Sequence, residues 1–436
     1  MNIKKFLLIN LFIVTTILKG QAQYLMDMVD TTKDAGKGLL NIYKKYDHIK
    51  IGGYIQPQFQ LASDKGIKSF EGGDFSSQVS NRFMLKRSRI RFDYIHFGDI
   101  KSPGVQIVFQ LDANERAITV RDVWGRIFEN KYKLFSFTTG MFARPFGNEV
   151  NYSSSDRESP ERGRMSQILM KSERDLGAMI SFEPRKSIGN LTNLKVDLGL
   201  FNGQGINATG DFDNTKDIIG RISLKPIAIS KKLKLSFGFS TLQGGLIQNT
   251  KYKYFTGTSN GIKSTLVDSS INNLWTDAPR KYYGADLQLK LKNKIGFSEF
   301  RAEFVKGKQT GTAMNSETPV TLFSSPLDGF HIRNFNGAYL YYVQNLLSLK
   351  HQIVLKYDWY DPNTDVSGME IGAAGSNLSA ANIKYTTLGL GYINYLTDNI
   401  KLVYYYARVW NEKTKLSSFT GDVNDNVFTL RIQYRF

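Results

Sequence analysis

The segment Val427-Phe428-Thr429-Leu430-Arg431-Ile432-Gln433-Tyr434-Arg435-Phe436 places an apolar or aromatic side chain at every second position from Phe428 onward and a polar one between. Successive side chains on a β-strand point to opposite faces, so this is a strand with one apolar and one polar face. The same period runs through 104–115, where Val105, Ile107, Phe109 and Leu111 alternate with Gln106, Val108, Gln110 and Asp112. It recurs in 283–291, where Ala285, Leu287, Leu289 and Leu291 alternate with Asp286, Gln288 and Lys290. One such strand would also suit a soluble all-β sandwich. Strand number, length and loop spacing separate the two readings. The spacing predicts sixteen strands over 50–62, 84–97, 104–114, 117–129, 133–143, 176–184, 193–201, 217–227, 232–243, 282–292, 296–306, 334–344, 349–359, 383–395, 399–410 and 427–436. Most have about 9–13 residues, the length a tilted strand needs to cross a bilayer. Short connections alternate with long ones, apart from a tight turn near 115–116 on the long-loop side. Short turns on one side and long loops on the other belong to an antiparallel transmembrane β-barrel with periplasmic turns and extracellular loops.

Composition narrows the field in the same direction. The 436 residues include 57 Lys+Arg against 39 Asp+Glu, a formal +18, with four histidines and no cysteine. Absence of cysteine excludes a disulfide framework, thiolate metal sites and a cysteine nucleophile. With 41% hydrophobic and 13% aromatic residues the chain is too apolar to be disordered. Lys4 and Lys5, the apolar run Phe6–Leu18 and the small residues Gly20 and Ala22 form the three parts of a secretory signal, with cleavage expected after Ala22. Loss of Lys4, Lys5 and Lys19 leaves 54 basic against 39 acidic residues, a net +15. Export argues against nucleic acid as the partner of this positive charge. No later stretch reaches about 18 consecutive apolar residues, so a helical membrane protein is not expected. Residues 23–49 read as an arm with short helical pieces that lies in the periplasm or plugs the lower mouth, and 50–436 as the barrel.

In the strands the charged residues fall mostly on the face opposite the apolar one. Arg87, Arg89, Arg91 and Asp93 share one face of the second strand, with Lys86 out of phase near the outer rim. The same test assigns Lys195, Arg221, Lys225, Lys234, Lys290, Lys292, Arg301, Lys356, Arg431 and Arg435 to the lumen, with the acids Asp93, Asp112, Asp197, Asp286, Glu299, Glu303 and Asp358. The strands 117–129, 334–344 and 399–410 have no clear phase. Charge facing lipid costs several kcal/mol, so these side chains face water. An excess of cations in a low-dielectric pore concentrates anions, and guanidinium groups bind oxyanions through two parallel N–H donors. The alternative is that lumen cations pair with lumen acids and simply support the wall.

The connection 144–175 is long for a structureless loop and dense in charge. Arg144, Arg157, Arg162, Arg164, Lys171 and Arg174 stand against Glu149, Asp156, Glu158, Glu161, Glu173 and Asp175, and 164–171 reads as a short helix. Such a loop suits folding into the barrel as a constriction, salt-bridged to the wall; the alternative is a solvated surface loop. Asp211, Asp213, Asn214 and Asp217 lack the register of a calcium loop. The four histidines lie in different segments, so neither a metal centre nor an enzymatic site is expected, and no cofactor is implied.

Several blocks together resemble the phosphate-selective porin O and P family in its Bacteroidota-type branch. They are Gly52-Gly53-Tyr54-Ile55-Gln56, Lys86-Arg87-Ser88-Arg89-Ile90-Arg91-Phe92, Arg121-Asp122-Val123-Trp124, Gly140-Met141-Phe142-Ala143-Arg144-Pro145-Phe146-Gly147, Glu173-Arg174-Asp175-Leu176-Gly177, Phe201-Asn202-Gly203 and Gly220-Arg221-Ile222-Ser223-Leu224-Lys225-Pro226. The resemblance implies a sixteen-stranded outer-membrane porin of a Gram-negative bacterium, usually a homotrimer, surrounded by lipid and lipopolysaccharide and passing small anions such as phosphate. It points to Arg89, Arg91 and Arg144 on the permeation path, while Glu299, Glu303 and Asp358 weigh against strict phosphate selectivity. A competing role is a closed barrel subunit of a larger outer-membrane complex, with 244–281 and 23–49 docking accessory outer-membrane proteins.

Overall fold

The computed structural model describes residues 48–99, 102–208, 210–346 and 348–436. The expected signal peptide and nearly all of the arm 23–49 lie outside the described residues. Among the described residues the chain forms eighteen strands in one sheet. These are β1 (Ile49–Ala62), β2 (Asn81–Asp99), β3 (Ser102–Ala113), β4 (Ile118–Phe128), β5 (Phe135–Ala143), β6 (Arg174–Phe182), β7 (Leu194–Phe201), β8 (Asp217–Ala228), β9 (Leu233–Ile247), β10 (Tyr252–Ser259), β11 (Ile262–Asp268), β12 (Asp277–Asn293), β13 (Gly296–Gly311), β14 (Gly329–Leu346), β15 (Ser348–Asp361), β16 (Tyr385–Tyr395), β17 (Ile400–Asn411) and β18 (Val427–Arg435). A short α-helix, α1 (Arg164–Leu169), sits in the connection between β5 and β6.

Each of the sixteen expected strands is present, and they close into an antiparallel barrel. β18 pairs with β1, setting Arg431 opposite Gln58 and Val427 opposite Ala62. β9 pairs directly with β12, which leaves β10 and β11 outside the cycle as a hairpin. That hairpin was not expected within 244–281. Its turn is Asn260-Gly261, with φ of 49° and 78°. Both residues are left-handed, as a two-residue hairpin turn requires, and Asn-Gly is the sequence pair that supplies this geometry. β10 continues alongside the outer end of β14, in parallel, from Tyr252 opposite Gly329 to Phe255 opposite Ile332. β12, β13 and β14 have 17, 16 and 18 residues, so this side of the barrel rises above the length needed to span a bilayer.

The barrel is inside-out relative to a soluble protein. Ile107, Ile127, Ile180, Leu198, Ile222, Phe239 and Leu390 are exposed on the outer wall. Gln56, Gln58, Gln60, Thr138, Asp197, Arg301 and Arg431 are buried on the inner one. An unbroken apolar exterior over a polar interior is stable only against hydrocarbon. The apolar core lies within the lumen. Tyr339, Tyr341, Val343, Val354, Tyr360, Val403 and Tyr405 on the inner faces of β14–β17 pack against Phe146, Val150, Met165, Ile168 and Leu169 of the β5–β6 connection.

Candidate functional site

The β5–β6 connection, residues 144–173, folds into the barrel. Its root is a buried network in which Arg144 donates to the Ser172 carbonyl and lies 3.9 Å from Asp175 and 4.0 Å from Asp217, while Arg280 pairs with Asp217 at 2.9 Å. The turn that aims the loop inward is Gly147, at φ +65°, where a Cβ would overlap the Glu303 carboxylate. That carboxylate accepts the backbone N–H groups of Asn148 and Glu149 at 3.0 and 2.9 Å. The close approach explains the glycine of the Arg144-Pro145-Phe146-Gly147 block. Gly147→Ala is expected to destabilise the folded barrel by about 1–3 kcal/mol, read as a lower thermal transition of the native band on electrophoresis.

From there the loop crosses to the far wall. Glu149 meets Lys356 at 3.1 Å and also accepts from Ser166 Oγ and the Gly163 N–H. Ser154 receives hydrogen bonds from Gln56 and Arg89, and Tyr54 pairs with its hydroxyl at 2.6 Å. Lys401 and Gln433 donate to the Ser155 carbonyl at 2.8 and 3.0 Å. Glu158 pairs with Arg301, and Tyr341 bonds Ser159. Glu161 is the central anchor: Arg87 reaches it at 2.7 Å, Arg431 at 2.9 Å and Lys86 at 3.9 Å. Lys86 and Arg87 are adjacent, yet both turn inward, which is where the alternation of β2 breaks. Burial alone would raise the Glu161 carboxyl, but Arg87, Lys86 and Arg431 hold it well below the usual carboxylate range.

The sequence-predicted site residues therefore divide. Arg87, Arg301, Lys356 and Arg431 anchor the loop, and Arg144 anchors its root. Arg157 is buried and donates to the carbonyls of Ser159 and Pro160 within the loop. Arg162 binds the carbonyls of Glu149 and Val150 and pairs with Glu173. Arg164 lies over the rings of Tyr385 and Phe70. The three arginines of β2 thus do not form an open row: Arg89 pairs with Asp112 at 2.8 Å, and only Arg91, 38% exposed and bound to Asp93, remains open to water. On the other side of the loop, Arg174 pairs with Asp122 at 3.1 Å and Arg221 with Asp286 at 2.6 Å. Lys225 pairs with Glu183 at 3.5 Å, and Arg435 meets Asp156 at 3.0 Å while half exposed.

The loop leaves the lumen in two halves. Against β14–β17 it forms the dry core described above. Toward β2–β8 it borders two polar cavities of about 730 and 400 Å³ that share Ala143, Asn151, Tyr152, Arg91 and Arg174. Together these are lined by nine cations (Lys50, Arg89, Arg91, Arg126, Arg162, Arg174, Lys195, Arg221 and Arg435) and four acids (Asp93, Asp122, Asp156 and Asp197). Arg126 was not singled out by sequence. Its Nε donates to Thr138 at 2.8 Å, and among the described residues no carboxylate lies within 4 Å of it. Arg126 and Arg91 flank the Trp124 ring at 5.0 and 5.8 Å.

A second loop, 63–80, closes over the outer end of the dry half. Gln167 donates to the Phe70 carbonyl at 2.9 Å and Lys86 to the Gly72 carbonyl at 3.1 Å. Burial pushes the Glu71 carboxyl up from 4.5 to about 7, with Lys356 opposing and Glu161 and Asp358 reinforcing. A raised value means the folded loop favours the protonated acid. The stabilisation is complete below about 4.5 and is lost as pH rises through about 7. Hydrogen-exchange protection of 63–80 is expected to fall as pH rises from about 4.5 through about 7, and Glu71→Gln to flatten that dependence.

The remaining candidates have structural partners. Asp211 pairs with Lys216, and Asp213 accepts the N–H groups of Thr215 and Ile247. His331 stacks on Tyr254, and His351 bonds Tyr392.

Comparison with known proteins bears on the fold. No protein-family model matches the chain, and no curated protein matches it in sequence. Among solved structures, the outer membrane channel DcaP of Acinetobacter baumannii is similar at a TM-score of 0.52 and 13% identity, over 89% of this chain and 97% of that one. OprB of Pseudomonas putida is similar at a TM-score of 0.52 and 10% identity, over 93% and 98%. OmpF of Salmonella typhi, solved with daunomycin, is similar at a TM-score of 0.51 and 11% identity, over 89% and 97%. At these identities the likeness shows the architecture, a closed sixteen-stranded porin-type barrel.

Proposed function

We propose that the chain is an outer-membrane channel of a Gram-negative bacterium that passes small hydrophilic solutes by diffusion and prefers anions. The carrying observation is the lining of the open half of the lumen, with nine cationic and four anionic side chains. Low-dielectric walls focus that imbalance on whatever passes. The apolar outer wall and the porin-type fold support the membrane setting. Phosphate is a candidate solute because Arg126, with no carboxylate within 4 Å among the described residues, shares one cavity with Arg91 and Arg174, and because the sequence blocks resemble the O and P family. Asp93, Asp122, Asp156 and Asp197 in the same space argue for a preference among anions in general. A homotrimer in lipid and lipopolysaccharide belongs to this reading.

The dry half of the lumen favours a second reading, a barrel kept closed as a subunit of a larger assembly. Planar-bilayer recording of the pure protein in a KCl gradient separates the two. Open steps with a reversal potential of anion-selective sign are the expected result. Absence of conductance from correctly folded protein would overturn the channel reading, and a cation-selective sign would overturn the anion preference.

A further inference from the structure

A third cavity, of about 520 Å³, lies at the outer end of β15 and β16, between α1 and the loops 63–80 and 412–426. Its size is within the range of about 300–1,000 Å³ typical of small-molecule sites. Two buried polar atoms on its lining have no hydrogen-bond partner in the protein: Arg164 Nε and Asp425 Oδ1. Asp425 is 7% exposed. Buried polar groups are ordinarily paired, so two orphans of opposite charge beside one cavity are informative.

Their chemistry is complementary. The Arg164 guanidinium is sandwiched between Tyr385, 3.6 Å from the ring centroid, and Phe70, at 4.5 Å. Among the described residues no carboxylate lies within 4 Å of it, and no cation lies within 4 Å of the Asp425 carboxylate. The two still sense each other. Burial pushes Asp425 up to about 6, and Arg164 opposes that rise. Lys65, Lys68 and Asp64 also lie on the lining but are exposed, whereas Arg164 and Asp425 border the cavity from within without touching, with Ile67, Ile168, Ile383 and Phe419 as apolar lining between the loops.

We infer that this cavity is a subsite for a small zwitterion, an amino acid or dipeptide with an apolar side chain. The ligand carboxylate meets Arg164, its ammonium meets Asp425, and its side chain lies on the apolar lining. A neutral sugar would leave both charges unanswered, and a simple anion would leave Asp425 opposed. The inference names a solute class for the proposed channel and in that sense rests on it, but binding at the outer mouth is measurable without conduction.

The test is titration calorimetry on the full chain in detergent micelles, with L-alanyl-L-leucine, its N-acetyl form, its C-terminal amide, and maltose. The dipeptide is expected to bind, and blocking either terminus to weaken binding by about tenfold or more, since each removes a charge-assisted contact. In Asp425→Asn, N-acetylation should no longer matter while amidation still does, a pattern that a general loss of fold would not produce. No binding of the dipeptide to folded protein, equal binding of the N-acetyl form, or binding of maltose instead would each overturn the subsite. Open channels without dipeptide binding reject the subsite alone, and dipeptide binding without conductance rejects the channel alone.

Discussion

Glu161→Gln is expected to unseat the inward loop. The substitution is nearly isosteric but removes the single carboxylate that answers Arg87, Arg431 and Lys86. Breaking one partner of a buried pair costs about 3–5 kcal/mol, because the remaining charges stay buried without compensation. The strands themselves keep their ladder hydrogen bonds, so the barrel persists and the cost falls on the loop. The expected record is a channel of higher and noisier conductance, together with protease cleavage within 148–162 that the native protein resists. Wild-type conductance and unchanged protease resistance would show that the remaining anchors at Lys356, Arg301 and Lys401 suffice. Acid should not reproduce the effect until the pH is far below the usual carboxylate range. The Glu161 carboxyl is depressed, so its contribution is present above about 4.5 and is lost only as pH falls through its lower folded value.

Reversing charge at Arg91 and Arg126 together is expected to abolish the anion preference. Glutamate at both positions changes the lining from nine cations and four acids to seven and six, so its net charge falls from +5 to +1. Neither residue touches the loop anchors, and Arg126 has no carboxylate partner among the described residues; reversal at Arg91 also breaks its pair with Asp93 within β2. The reversal potential in a KCl gradient should lose its anion-selective sign, most clearly at low ionic strength where the field is least screened. The same reversal at Arg435, on the exposed end of β18, should shift it less. An unchanged reversal potential in the double variant would move the permeation path away from the β2–β8 wall.

Strand positions and the closure of the barrel were legible because they depend on a period of two set against lipid and water. Phase was lost where a further layer intervened. In β4 the pairing with β3 slips at Gln110/Leu111, so that Gln110 faces Asp122 and Leu111 faces Val120. The extra residue is Arg121, and the bulge brings Arg121, Asp122 and Arg126 inward from what reads as mixed phase. In β14 and β17 the inner face carries Tyr339, Tyr341, Val403 and Tyr405 because it packs against the loop, while Tyr342 and Tyr406 are exposed outside, so both faces read as apolar. The importance of 144–175 was legible from its length and mixed charge. The fate of each arginine was not. Arg87 and Arg91 occupy one strand two pleats apart; the first is captured by Glu161 and the second stays open, and nothing local distinguishes them. The β10–β11 hairpin was missed although Asn260-Gly261 announces it.

The contacts that seat the loop join distant parts of the chain. Arg431 to Glu161 spans 270 residues, Gln433 to Ser155 spans 278, and Arg435 to Asp156 spans 279. Contacts so far apart form only after the intervening chain has lost its freedom. The loop belongs to the first half of the sequence, but its binding surface includes β1, β2 and the last strands, and that surface is complete only when β18 meets β1. Loop seating is therefore a late event in biogenesis. A barrel halted before closure would be an open, wide-mouthed sheet, and the narrowing of its passage would report that the two ends of the chain have found each other.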